Sequence, residues 1–287
     1  MARALSRRQF MATAAAATVA TQLSADAAKA PPGEVIDTNV WLGHWPTRAL
    51  PLSDPGRLEE KLRALGVTRA WVSSFDGLLH KDVAGVNARL AETCRARPFF
   101  EPFGAVNPTL PRWTDDIAAC ARLQMRGVRL APAAHGYPLD DPRLVEVLQL
   151  ATEQRLAVQL TLVLEDERTQ STTWRVPVPD LAPLAPALDA VPTARLMLLN
   201  WLPRLIGKPA LQRLLAAKVT FDLAMLEGIA GLETLRRELP LERVCLGSYA
   251  PVFYPEAAHL KLRESELSAG ELRSITHESA TRFLAGE

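Results

Sequence analysis

The chain predicts an α/β fold, a single (β/α)8 TIM barrel preceded by a twin-arginine signal peptide. Three observations carry this. The 287 residues lose a removable-looking leader and leave about 260, the usual size of one such barrel. Short apolar runs alternate with amphipathic helical segments from residue 35 to the end. No Gly- or Ser-rich linker divides that alternation, so one domain is expected over 34–287.

The leader comes first. Residues 6–11 read Ser-Arg-Arg-Gln-Phe-Met, which resembles the twin-arginine export motif, with the pair at Arg7 and Arg8. A soft alanine-rich stretch follows, and Ala25-Asp26-Ala27 has the A-x-A form of a cleavage site. This places a signal peptide at 1–27 and a short flexible segment at 28–33. It implies the twin-arginine export machinery as a partner and a periplasmic or extracellular location. Ala28-Lys29-Ala30 is a second site, but Pro31 follows it. The competing reading is an amphipathic first helix, which the lack of a polar face after Arg8 disfavours.

Eight strands are expected in the body: Val35–Val40, Arg69–Ser74, Pro102–Val106, Gly127–Ala131, Ala157–Val163, Arg195–Leu199, Val219–Ala224 and Arg243–Gly247. Their continuous apolar character suits strands covered on both faces. Helical periodicity lies between them, for example over Lys81–Arg97, Pro142–Arg155 and Pro209–Ala217. Asp141-Pro142 reads as an N-cap followed by proline at the first helical position. Ser268 and Glu271 have capping-box spacing and open the last helix. A doubly wound open sheet competes. Eight units in so short a body favour closure, and no Gly-x-Gly-x-x-Gly follows the first strand.

Composition narrows the partners. The whole chain has a net charge of +1, and without residues 1–27 it has 30 basic and 31 acidic groups. Neither value points to nucleic acid or an anionic membrane. Past residue 30 no apolar run approaches the roughly 20 residues that span a bilayer. Cys94, Cys120 and Cys245 lack metal-type spacing and read as small core residues rather than disulfide partners.

Several segments resemble the amidohydrolase-related family of metal-dependent hydrolases. Ile36-Asp37-Thr38-Asn39-Val40-Trp41-Leu42-Gly43 is similar to that family's opening strand, and Gly127-Val128-Arg129-Leu130 to its fourth. Arg243–Ser248 with Tyr249-Ala250-Pro251 resembles the eighth strand, and 275–283 the closing helix. The resemblance implies a barrel with its site at the C-terminal ends of the strands, and a hydrolase or related lyase chemistry. It also implies metal ligands that this chain replaces. Asn39 and Trp41 stand for the first-strand histidines, Thr161 (with Gln159 two places earlier) for the fifth-strand histidine, Asn200 for the sixth and Tyr249 for the eighth-strand aspartate. Amide and hydroxyl oxygens bind divalent transition ions poorly. The expectation is therefore a divergent member with no metal and no cofactor.

Other chemically able groups fall on strand ends or the loops after them. Asp76 and His80 follow strand two, and His135 and Tyr137 strand four. His44 follows strand one, and Asp222 lies in strand seven. In the first functional reading, a metal-independent hydrolase or lyase acts on a small carbonyl or carboxylate compound. Asp76, His80 and His135 are then the candidate acid–base residues, because imidazole and carboxylate can exchange protons near neutral pH. Arg129 is the anion clamp. Asn39, Asn200, Trp41, Thr161, Tyr249 and Asp222 line the substrate site. Each residue has a bland alternative: Arg129 paired with Asp37 or Asp222, Asp76 capping a helix near His80, Asn39 bonded to Asn200, and 165–168 a solvated loop. The second reading is a non-catalytic barrel that binds a small molecule or a protein. A third rebuilds a metal site from His44, His80, His135 and Asp76. The proline-rich stretch after strand five, 176–192, either covers the mouth or merely connects.

Overall fold

Eight parallel strands follow one another around a barrel in chain order: β1 Ile36–Leu42, β2 Arg69–Ser74, β3 Phe100–Ala105, β4 Gly127–Leu130, β5 Ala157–Thr161, β6 Leu196–Leu199, β7 Thr220–Asp222 and β8 Val244–Cys245. The computed structural model describes residues 33–166, 168–201, 204–228 and 231–287. The expected signal peptide and most of the short segment after it lie outside the described residues. Glu34–Glu287 forms one compact unit.

The barrel closes between β8 and β1. Thr38 N–H donates to Leu246 O, Tyr249 N–H to Asn39 O and Trp41 N–H to Ala250 O, each at 2.8 Å. The last two strands are shorter than expected because their ends turn to other partners. Leu246 N–H bonds Ile275 O in the closing helical segment, and Ser248 N–H bonds the Asp37 carboxylate. β1 runs two residues further than expected, through an irregularity between Asp37 and Val40. β3 begins at Phe100 rather than at Pro102, since Phe100 and Glu101 already pair with Ala70 and Trp71.

Helices α1 Pro55–Ala64, α2 Val83–Ala96, α3 Trp113–Arg122 and the single turn α4 Pro132–His135 cover the first half. α5 Pro142–Glu153, α6 Leu184–Ala190, α7 Pro209–Ala216 and α8 Gly231–Leu235 continue the ring. α9 Pro255–Glu264, α10 Ala269–Arg273 and α11 Ser279–Ala285 complete it, with a π-helical stretch at Ser274–Glu278. The expected caps form: Asp141 accepts from Arg143 N–H, and Ser268 and Glu271 make a reciprocal capping box. Asp76 does not cap the helix after β2. Asp82 does, accepting from Gly85 N–H at 2.9 Å, because the chain first makes a 3-10 turn at Phe75–Leu78 that delays the helix.

Apolar residues form three clusters. One lies between the strands and the surrounding helices. A second fills the lower barrel with Ile36, Trp71, Phe103, Met197 and Cys245, closed by Ala280 and Phe283 of α11. The third lies at the mouth, around Trp41, Trp45, Phe75, Leu164, Val176 and Tyr249. All three cysteines are buried free thiols.

Candidate functional site

The C-terminal ends of the strands are where a barrel of this kind puts chemistry. Here they are filled by aromatic rings. Trp41, carried past the β1 irregularity, stacks on Phe75 at 5.1 Å and 8°. Trp45 meets Phe75 edge-on at 5.1 Å and Trp174 at 5.8 Å. Tyr249 is fully buried and donates its phenolic proton to Leu164 O at 2.6 Å. Its backbone is left-handed (φ 57°), a conformation costly for a bulky side chain and held by the N–H bond to Asn39 O.

Beneath the rings is a polar layer. Arg129 on β4 is 2% exposed. It donates to Gln159 Oε1 at 2.8 Å and to Val40 O at 2.8 Å, with longer contacts to Thr38 O and Trp71 O at 3.4 Å. Its guanidinium also lies over the Trp41 ring at 4.8 Å. Burial pulls its pKa down to about 9, opposed chiefly by the charge of Asp222. The direct partners are thus Gln159 and strand carbonyls, not the Asp37 or Asp222 expected of a structural arginine. As an anion clamp it would need free N–H groups facing a ligand, and this side chain gives them to the barrel wall.

Asn39 Nδ2 donates to Asn200 Oδ1 at 2.8 Å and to Asp222 Oδ2 at 2.7 Å. Asn200 returns N–H to Asp222 Oδ1 at 2.7 Å and Nδ2 to Val163 O at 2.8 Å. Asn200 too is left-handed (φ 61°), which asparagine tolerates better than most residues. Gly247 allows this closeness, since a Cβ there would stand 2.8 Å from Asp222 Oδ2 and 3.0 Å from Asn39 Cβ. Asp37 and Asp222 are both pushed up to about 6, first by burial. The Thr161 hydroxyl and the Trp41 indole N–H are buried with no hydrogen-bond partner among the described residues.

The three expected acid–base residues gather at the turn after β2 and the short helix after β4. His80 N–H bonds Asp76 O in the turn after β2, and the His135 ring donates from Nε2 to Gly77 O at 3.0 Å. That bond makes Nε2 the protonated nitrogen and leaves Nδ1 buried, with no partner among the described residues. Burial lowers the His135 pKa, against the opposing pull of the bond to Gly77, and so favours the neutral ring. Asp76 is half-exposed with Arg89 at 3.8 Å, and His80 and His44 are exposed. Sequence reasoning missed Glu165, expected in a solvated loop. It is 4% exposed and paired with Arg48 at 2.7 Å, and burial raises its pKa. No local signal marks it, because Arg48 is 117 residues away.

The described surface also holds a groove of about 380 Å³ between the loop after β4 and the proline-rich loop after β5. Tyr137, Pro138, Pro177, Pro179 and Pro183 line it, with Asp140 and Asp180 both exposed beside them. The run of prolines was its only sequence signal.

No protein-family model and no curated protein sequence matches the chain. Solved structures do. 5-Carboxyvanillate decarboxylase from Sphingomonas paucimobilis superposes with a TM-score of 0.69 at 17% identity, over 88% of this chain and 99% of that one. The corresponding decarboxylase from Novosphingobium aromaticivorans, solved with bound manganese, gives 0.67 at 15% identity over 89% and 98%. A Staphylococcus aureus barrel assigned as an amidohydrolase gives 0.66 at 13% identity over 88% and 100%. The fold is that of the amidohydrolase-type barrels. The resemblance read from the strand motifs is a likeness of fold along nearly the whole body.

That fold implies a divalent metal, and the residues present do not fit one. Of the replaced ligand positions, Asn39 and Asn200 hold each other, Trp41 is stacked on Phe75, and the Tyr249 hydroxyl is bonded to a carbonyl. Among the described residues no group of three or more His, Cys, Asp or Glu converges as ligands, so His44, His80, His135 and Asp76 do not form the rebuilt site either.

Proposed function

We propose that this amidohydrolase-type barrel is a non-catalytic, ligand-binding protein whose former reaction centre has become core. One observation carries the reading: the groups that would have handled substrate are engaged with one another. Arg129 bonds Gln159 and strand carbonyls, Asn39 bonds Asn200 and Asp222, and Trp41, Phe75 and Tyr249 close the mouth above them. Binding then falls to the groove, the concave site that lies outside this closed mouth. The arginine motif and the A-x-A sequence of residues 6–27 support export by the twin-arginine pathway as part of the same proposal, which cell fractionation tests.

A second reading, a lyase acting on a carboxylate compound without a metal, is favoured by the decarboxylases among the fold relatives. It requires the aromatic lid to open and Arg129 to exchange its carbonyl partners for a substrate carboxylate. One assay separates the two. Mature protein is incubated with 5-carboxyvanillate, with and without Mn²⁺, and carbon dioxide release is followed. The ligand-binding reading expects no turnover in either condition. Release that disappears in His135→Gln or Asp76→Asn would overturn it.

A further inference from the structure

We infer that the groove beside Tyr137 selects a small ring compound bearing a positive charge, such as an aromatic amine. The inference deepens the ligand-binding reading and rests on it. The walls set the first half. At about 380 Å³ the groove is at the small end of ligand pockets and suits a single ring. Proline rings at 138, 177, 179 and 183 offer flat apolar faces that are already rigid. Little ordering entropy would be lost on binding, because proline fixes the loop backbone on one side and the turn of α4 fixes the other.

Charge sets the second half. Asp140 and Asp180 are carboxylates lining the groove, and among the described residues no Lys, Arg or His lines it. Asp180 accepts one backbone N–H, from Ala182 at 3.0 Å, and neither aspartate is in an ion pair with a described residue. By contrast, Asp141 is paired with Arg143 and Asp166 with Arg168. Tyr137 adds an independent feature. It lines the groove, is 4% exposed, and its hydroxyl has no hydrogen-bond partner among the described residues. A ligand amine presents the donors that these carboxylates accept. A carboxylate, the ligand class expected for the barrel mouth, would meet like charge here.

Isothermal titration of the mature protein with phenethylamine, benzyl alcohol and benzoate, three ring compounds differing in charge, tests this. Phenethylamine is expected to bind one-to-one, at least tenfold more tightly than benzyl alcohol, with benzoate weakest. The double variant Asp140→Asn/Asp180→Asn should lose about tenfold for the amine and nothing for the alcohol. Ala133→Phe, which fills the groove wall, should abolish both while circular dichroism shows the fold retained. Equal binding of amine and alcohol, unchanged in the double variant, would overturn the charge selection but leave groove binding intact. If no ring compound binds, the groove is not a ligand site and the inference fails. The carbon dioxide assay then decides the underlying reading separately.

Discussion

Asp37 shows what burial inside the barrel does to a single carboxyl group. One of its oxygens accepts from the N–H groups of Asn39 and Ser248, and the other is buried without a partner among the described residues. Its pKa near 6 stands above the ordinary 3.8, mainly through burial. Such a group holds its proton more tightly folded than unfolded. The stability it contributes is therefore complete below about 3.8 and lost as the pH rises through about 6. Asp37→Asn keeps the accepting oxygen and removes the charge. Its unfolding free energy relative to wild type should rise by up to roughly 3 kcal/mol between pH 4 and 7.5, a shift of about two pKa units. Urea denaturation at the two pH values reads it. A difference that stays flat would mean that Asp37 does not titrate with a raised pKa.

At the scale of elements, the loop after β5 acts as a cover. Val176 and Leu164 are buried in the aromatic cluster of the mouth, with Trp174 packed against it. Gln170 ties the loop to itself: its Oε1 accepts from Val176 N–H at 3.0 Å and its Nε2 donates to Val176 O at 3.1 Å. These bonds satisfy two backbone groups that no strand or helix serves. Gln170→Ala removes them at a cost of about 1–2 kcal/mol, felt as local opening rather than global unfolding. Trypsin cleavage after Arg168 or Arg175 should accelerate about five- to thirtyfold, while the melting temperature moves by no more than about 3 °C. Unchanged cleavage would assign the cover's hold to ring packing alone.

Across the whole barrel, Arg129 is a tie. From β4 it reaches β5 through Gln159, β1 through Val40 and Thr38, and β2 through Trp71. It is also the buried positive charge facing Asp37 and Asp222. Arg129→Met fills similar space but strands those acceptors and carboxylates, a loss of about 3–5 kcal/mol when one partner of a buried charge network is removed. The melting temperature should fall by roughly 6–20 °C, at about 2–4 °C per kcal/mol for a chain of this size. Scanning calorimetry reads this directly. An unchanged transition, together with lost binding of carboxylates, would instead make Arg129 the anion clamp.

Much of the architecture was legible in the linear chain. Apolar runs and helical periodicity are local, and they located all eight strands and the caps at Asp141 and Ser268. The residue types at 39, 41, 161, 200 and 249 are amides, rings and a hydroxyl, poor donors to a divalent ion, and that much is legible because donor chemistry belongs to the side chain itself. Only the tertiary structure decided partners. Asn39 meets Asn200 across 161 positions, and Arg48 meets Glu165 across 117. His135 turns its Nε2 to Gly77 O, and Asp82 caps the helix that Asp76 was expected to cap. Short windows record what a segment prefers alone. Which buried donor finds which acceptor is fixed by how the closed barrel brings distant strands within 3 Å, where an unpaired polar group costs more than any local preference can offset.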